Sequence, residues 1–321
     1  MMKEYIYIAI LLFITFFTGC KNKTHEKVDD NLFMIATASA DFSLRHGLPS
    51  VSFQDKMWVV SGGLNMECDV WYSSDGVSWT NAVTDADFKT YFGHSVVVFK
   101  NKLWLIGGLD ATRKKNDVWC SSNGIDWEIV TKAAEFPARQ GHTSVVFGGK
   151  IWVIGGVDNE NKCRNDVWFS LDGLGWQLAT NSAEFSPRYG HASVVFDNKI
   201  WVISGQYSTG NDVWFSNDGV KWIEVTQNVK FPKRRSFSVV TQNGFIWVIG
   251  GSGYSGFMGY LNDIWFSSDG MVWKKPGKPT GFTKRYDHTS VVFKNKIWVI
   301  GGRGGNGVGD FKNDVWYSKE L

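Results

Sequence analysis

The chain has 321 residues, 34 Lys and Arg against 31 Asp and Glu, a formal net charge of +3, and 43% apolar residues. So small a charge gives no argument for a nucleic-acid partner, no basic run interleaved with aromatics suggests one, and none is expected. Beyond Cys20, the cysteines Cys68, Cys120 and Cys163 show no Cys-x-x-Cys or Cys/His zinc spacing, so neither metal nor cofactor is expected.

Met1-Met2-Lys3-Glu4 is followed by a nearly unbroken apolar run from Tyr5 to Phe17 and then by Thr18-Gly19-Cys20. A charged start, a short apolar centre and small residues before a cleavage point read as a secretory signal over residues 1–19, because a membrane span needs about 20 apolar residues. Thr18-Gly19-Cys20 resembles a bacterial lipobox. The resemblance implies cleavage before Cys20, lipidation of its sulfur, and export across the inner membrane to a lipid-anchored position on the periplasmic face or the cell surface. Cys20 as an ordinary cysteine behind an uncleaved anchor is the alternative. Residues 20–32 are then the lipidated cysteine and a polar, aperiodic tether.

From residue 33 to 321 the chain repeats itself. A small-residue pair recurs at Gly62-Gly63, Gly107-Gly108, Gly155-Gly156, Ser204-Gly205, Gly250-Gly251 and Gly301-Gly302, which gives six units. The clearest unit runs from Phe185-Ser186-Pro187-Arg188-Tyr189-Gly190-His191 through an apolar run, Ile200 to Gly205 and a variable loop to Asn211-Asp212-Val213-Trp214 and Trp222. All 17 tryptophans fall on three repeat positions. Each unit holds about four short apolar or alternating runs, the pattern of strands. Pairs such as Asp75-Gly76, Asn123-Gly124 and Asp218-Gly219 are expected to make type I′ turns between the third and fourth runs. The sixth unit stops soon after Trp316. Phe33-Met34-Ile35-Ala36-Thr37 matches Trp176-Gln177-Leu178-Ala179-Thr180 in phase, so residues 33–38 are predicted to pair with the last C-terminal strand and close a ring without edges.

Six such units describe an all-β, six-bladed propeller with four antiparallel strands per blade. They resemble the kelch-repeat family. A serine such as Ser73 or Ser216 stands where kelch units usually carry Tyr, and Ser73-Ser74-Asp75-Gly76-Val77-Ser78-Trp79 looks like a shortened sialidase-type Asp-box. Cys68, Cys120 and Cys163 are expected to remain thiols, with a Cys68–Cys163 bridge as the alternative.

Function is expected where loops converge on the axis. The links into each first strand carry Arg45, Arg139, Arg188, Arg234 and Arg285 at one position, with Tyr91 in the sixth place. This ring either binds an acidic ligand or is consumed in ion pairs with the equally recurrent Asp69, Asp117, Asp166, Asp212, Asp263 and Asp314, between neighbouring blades. His94, His142, His191 and His288 are expected to be hydrogen-bonded scaffold. Positions that differ between units are better ligand candidates. These are the residues after the arginine position, His46, Phe92, Gln140, Tyr189, Arg235 and Tyr286, and the loops carrying Asp110, Asp158, Tyr254 and Arg303.

The function expected is a lipid-anchored binding module, monomeric, holding a glycan, peptide or protein on the loop face and touching the membrane only through Cys20. The alternative is an enzyme. Six kelch blades with a secretory signal resemble the N-acetylneuraminate epimerase family, sialic acid mutarotases, and His46, Asp110 and Asp158 are the candidates for acid and base. The copper site of kelch-fold oxidases and the Tyr-Glu pair of sialidases are not reproduced.

Overall fold

The computed structural model describes residues 30–63, 67–90, 92–207, 211–226, 229–253, 259–304 and 309–319. The signal segment, Cys20, Tyr91 and Tyr254 lie outside them.

Six separate antiparallel sheets follow one another along the chain, as expected for six blades. Blade 1 is Ser50–Phe53, Lys56–Val60, Val70–Ser73 and Thr80–Val83, paired in chain order. Blades 2 to 5 occupy residues 95–131, 139–180, 192–226 and 234–274. The second strands are buried on both faces, as in Leu103-Trp104-Leu105-Ile106, because each blade packs between two others. The fourth strands keep one face in solvent, with Leu178 and Ile129 exposed. In blade 5 the outer strand shrinks to a bridge between Phe266 and Lys274, where Pro276 and Pro279 follow and can donate no ladder hydrogen bond.

The ring closes as predicted. Phe33–Thr37 pairs antiparallel with Phe311–Ser318, Phe33 opposite Ser318 and Ile35 opposite Trp316, completing blade 6 after Thr289–Phe293 and Lys296–Gly304. Phe33 is fully buried and meets Phe282 edge-on at 5.3 Å, as a fourth-strand Trp does elsewhere, for instance Trp222 with Phe185 at 5.1 Å.

The turn expectation needs correction. Paired positive φ values occur between the first and second strands, at Gln54-Asp55, Lys100-Asn101, Gly148-Gly149, Asp197-Asn198, Asn243-Gly244 and Lys294-Asn295. Between the third and fourth strands only the glycine has positive φ, as at Gly76 (79°). There the loop is built by side chains. Ser73 Oγ accepts the Gly76 amide at 2.8 Å, and Asp75 Oδ1 accepts the amides of Val77 and Ser78 at 2.8 and 3.0 Å. Ser121/Asn123, Ser170/Asp172, Ser216/Asp218 and Ser267/Asp269 repeat the arrangement. This explains the serine in the kelch tyrosine position. The glycine is also a seam contact, since a Cβ on Gly173 would lie 2.0 Å from the Trp104 ring of the preceding blade. None of Cys68, Cys120 and Cys163 forms a disulfide.

Candidate functional site

The recurrent arginines are structural. Arg45, Arg139, Arg188, Arg234 and Arg285 have no accessible surface, and each grips an aspartate with two nitrogens: Arg188 Nη1 and Nη2 lie 2.9 and 2.7 Å from Asp212 Oδ1 and Oδ2. The same Asp212 accepts Trp214 Nε1 at 2.8 Å, and the Arg188 guanidinium stands over Phe185, 5.2 Å from the ring centre. The arginine also joins blades. The backbone N–H of Arg188 donates to Arg164 O and its carbonyl accepts from Gly156, both in blade 3, while its side chain is bound in blade 4. A ligand cannot touch side chains with no exposed surface, so the reading of Arg45, Arg139, Arg188, Arg234 and Arg285 as ligand contacts is replaced by the ion-pair reading. Blade 2, with Tyr91 at this position, is the exception. Lys115 Nζ lies 2.6 Å from Asp117 Oδ2, and Asp117 Oδ1 is left buried without a partner.

A cavity of about 340 Å³ lies on the axis, lined by the links into the first strands of all six blades. Backbone hydrogen bonds run around it: Gly141 N to Gly93 O, Gly190 N to Gly141 O, Ser236 N to Gly190 O, Asp287 N to Ser236 O and Gly47 N to Asp287 O, all 2.8 to 3.0 Å. The recurrent histidines sit just below and tie blades together. His191 Nε2 is 3.0 Å from Thr143 Oγ1, and His94 Nε2 donates to Val60 O at 3.0 Å. Burial drives His94 down to about 4 and His191 and His288 to about 3, and holds His142 well below its ordinary value. Neutral, buried imidazoles bonded to the neighbouring blade fit the scaffold role expected of them.

Above this ring is the mouth. Two-residue strands Arg139–Gln140, Arg234–Arg235 and Arg285–Tyr286 pair antiparallel with the ends of the second strands, and each buried arginine is followed by a partly exposed side chain. His46, Phe92, Gln140, Tyr189, Arg235 and Tyr286 are all partly exposed. Several rest on the glycine of the preceding blade, Phe92 against Gly47, Gln140 against Gly93 and Tyr189 against Gly141. The aromatic groups gather on one side. Tyr260 stacks on Tyr286 at 4.4 Å, the Arg303 guanidinium stands 5.9 Å from Tyr286 and 5.0 Å from Phe311, Phe311 meets His46 at 5.1 Å, and His46 meets Phe92 at 5.3 Å. Opposite, Arg235 Nη1 donates to Tyr189 Oη at 3.3 Å, and Tyr189 lies 6.0 Å from the exposed Tyr207. Burial, with Tyr260 alongside, pushes the Tyr286 phenol up to about 12, so it stays an un-ionised donor. His46 Nδ1, Gln140 Oε1 and Arg303 Nε are buried polar atoms of the mouth with no hydrogen-bond partner. Such atoms in a concave, aromatic-lined site are what a polar ligand or ordered water satisfies.

The two carboxylate candidates do not belong to this arrangement. Asp110 accepts the amides of Thr112 and Arg113, both at 2.8 Å or less, and Asp158 accepts those of Glu160 and Lys162 and is paired with Arg164. Burial pushes both carboxyls up, but these donors outweigh it and hold them below the usual carboxylate range. Carboxylates so held are loop anchors and poor proton donors. The carboxylate that does reach a candidate base is Asp287, whose Oδ2 lies 3.5 Å from His46 Nδ1. Sequence reasoning passed over Asp287 and Tyr207. Asp287 stands where other blades carry Gly47, Gly93, Gly141 and Gly190, and that departure was its one signal.

A closed six-bladed ring with its variable side chains collected around one axial mouth defines a propeller whose scaffold and site are separable. Residues 47–251 match the model of the KLHDC2/KLHL20/DRC7 Kelch-repeats domain, well over half of the chain, and the protein belongs to the kelch-repeat family. Residues 207–319 match the model of the DUF6242 beta propeller domain. Among solved structures the chain is similar to that of YjhT, with a TM-score of 0.72 over 87% of this chain and 96% of that one, at 16% identity, which is a likeness of fold. No curated protein matches.

Proposed function

We propose that this protein is a cell-envelope binding module whose ligand, a glycan or a polar peptide segment, sits in the axial mouth. The observation that carries this reading is the arc Tyr260–Tyr286–Arg303–Phe311–His46–Phe92, in which stacked rings accompany the unpartnered Nε of Arg303 and a His46 Nδ1 that makes no hydrogen bond and has Asp287 3.5 Å away. Flat aromatic faces with convergent donors suit sugar rings and extended peptides alike, and Arg235 and Arg303 favour a ligand bearing negative charge. Export and lipidation at Cys20, taken from Thr18-Gly19-Cys20, place the module on a membrane; metabolic labelling with a fatty acid that Cys20→Ala abolishes tests that part.

A second reading, sugar epimerisation or mutarotation, has one observation in its favour. His46 and Asp287 face each other inside the mouth, as an acid and base pair would. Ligand-observed NMR against sialic acid, uronic acids, neutral sugars and short acidic peptides tests both. Saturation transfer that Tyr286→Ala and Arg303→Ala reduce at least about tenfold, without loss of thermal stability, supports the binding module. Accelerated anomer exchange abolished by Asp287→Asn establishes the enzyme. Absence of transfer from every ligand refutes a small-molecule site in the mouth.

A further inference from the structure

Blade 5 lacks most of the outer strand that its sister blades have, and the place of that strand is open. Trp273 and Phe282 are spaced as Trp127 and Phe136 are, so no residues are missing. Lys274-Lys275-Pro276-Gly277 stands where blade 2 has the strand Glu128–Thr131. Pro276 has no N–H to give a ladder. The segment that follows bonds elsewhere: Pro279 O and Thr280 O accept the N–H groups of Leu32 and Phe33 at 2.7 and 3.0 Å, at the entry to blade 6.

What remains is a recessed strand edge. Phe266 exchanges both backbone hydrogen bonds with Lys274, at 2.9 and 3.0 Å, on the outer side of the third strand Tyr260–Ser267. Backbone groups of an antiparallel strand face the same side at every second residue, so the N–H and C=O of Ile264 and the C=O of Asn262 also face outward. In the sister blades these groups are engaged. Val70, Val118, Val167, Val213 and Val315 each pair with an outer-strand residue, Val118 with Thr131 for instance. The carbonyls of Cys68, Asn116, Asn165, Asn211 and Asn313 each accept an amide at 2.7 to 3.2 Å. In blade 5, among the described residues, the outward backbone groups of Ile264 and Asn262 meet no hydrogen-bond partner. Other blades keep their free edge in solvent, with Ile129 37% exposed, but Ile264 is 3% exposed. A backbone group so withheld from water calls for a partner. Beside it lies a pocket of about 440 Å³, lined by Asn262, Asp263 and Ile264 of the strand and by Lys275, Pro276 and Pro279 of the loop.

Three observations identify the occupant. Alternating outward N–H and C=O groups on a strand edge are matched by the backbone of another extended chain. The fold accepts such a chain from outside the blade's own sequence, since Phe33–Thr37 supplies the outer strand of blade 6 from the far end of the protein. Charge gives the third. Lys274, Lys275 and Lys278 are exposed around the opening. Asp263 is turned inward to Arg234 and the Trp265 indole, with Lys275 Nζ 3.9 Å away, and Asp30, next to Asn31 in the chain, offsets one lysine. Positive charge is left in excess. We infer that the outer edge of blade 5 is a docking site for an extended peptide bearing acidic side chains, which adds as the fourth strand of that blade. The peptide runs antiparallel to Tyr260–Ser267, exchanges hydrogen bonds with Ile264 and sets its carboxylates among the three lysines. This site is on the rim of the ring and independent of what the mouth binds.

The test uses the full chain in mild detergent. Its probe is the acetylated, amidated peptide Glu-Ile-Val-Thr-Glu, whose centre is the sequence Ile129-Val130-Thr131 that fills this place in blade 2. Calorimetric titration should show saturable binding, and the bound peptide should slow amide exchange at Ile264, a reading that needs no variant. N-methylation of the peptide's threonine removes the N–H that meets Ile264 and keeps every side chain. It should weaken binding about tenfold, as should lysine in place of both glutamates. Pro276→Val with Gly277→Thr gives blade 5 an outer strand of its own and should exclude the peptide while leaving the mouth unchanged. Absence of saturable binding, indifference to N-methylation, or unchanged exchange at Ile264 overturns the proposal. So does a concentration-dependent dimer that protects Ile264 without the probe, because a second copy of the chain would then hold the edge.

Discussion

Arg188 shows how one side chain can be mistaken for a ligand contact and what it does instead. Its guanidinium, Asp212, Trp214 and Phe185 form a buried set spanning the seam between blades 3 and 4. Arg188→Ala leaves the buried Asp212 charge with only the Trp214 indole N–H, and should cost about 3 to 5 kcal/mol of stability in urea titrations while leaving ligand affinity unchanged. A second prediction concerns acid. In the folded ring burial keeps the imidazoles of His94, His191 and His288 neutral down to about pH 3 to 4, whereas an unfolded histidine takes up its proton near 6.5. Below about pH 6.5 the unfolded state therefore binds more protons, and melting temperature should fall steadily as pH drops from 7 toward 4. The depressed carboxyls of Asp263 and Asp314 add to this loss only at the acid end, below their ordinary range of about 4. Recurrence of Arg, His and Asp in the sequence announced scaffold, but only coordinates could decide between an arginine ring that binds and one that is already bound. Sequence order does not say which way a guanidinium points.

At the scale of the blade, the strands were legible because their apolar runs and small-residue pairs recur in phase, and Phe33 could be matched to a Trp position by register alone. The turn types were not. Asp-Gly was read by its dihedral preference, but here Asp75 serves as a hydrogen-bond acceptor for two amides, and the paired positive φ values fell to residues such as Asp197-Asn198. Side-chain capping won over backbone propensity. Gly173→Ala tests the packing that results. It places a methyl against Trp104 at a backbone φ of 83°, and should lower stability by about 2 kcal/mol or more, measured by thermal unfolding. Blade 2 is the weakest seam on the same argument, since among the described residues Asp117 is held by Lys115 and the Trp119 indole, where the other blades add a bidentate arginine to the indole. Amide exchange should be fastest there, between Val60 and His94, among the inner strands.

For the whole molecule, the candidate site was half legible. Its positions were found by asking where the repeats disagree, which located His46, Phe92, Gln140, Tyr189, Arg235 and Tyr286. The gathering of Tyr286, His46 and Phe92 with Tyr260, Arg303 and Phe311 on one side, opposite Tyr189 and Arg235, was not, because contact around a ring depends on loop reach that periodicity does not encode. The mouth carries the expectation of a polar ligand, and Tyr286→Ala and Arg303→Ala test it without touching the buried arginine scaffold. Closure adds a consequence in time. The pairing of Phe33–Thr37 with Phe311–Ser318 joins segments almost a whole chain apart, so the first strand must wait, unpaired, until the last has been delivered. A protein built this way cannot complete its fold until Phe311–Ser318 has been synthesised and is free to pair. The ring closes late, after the other blades have had time to form.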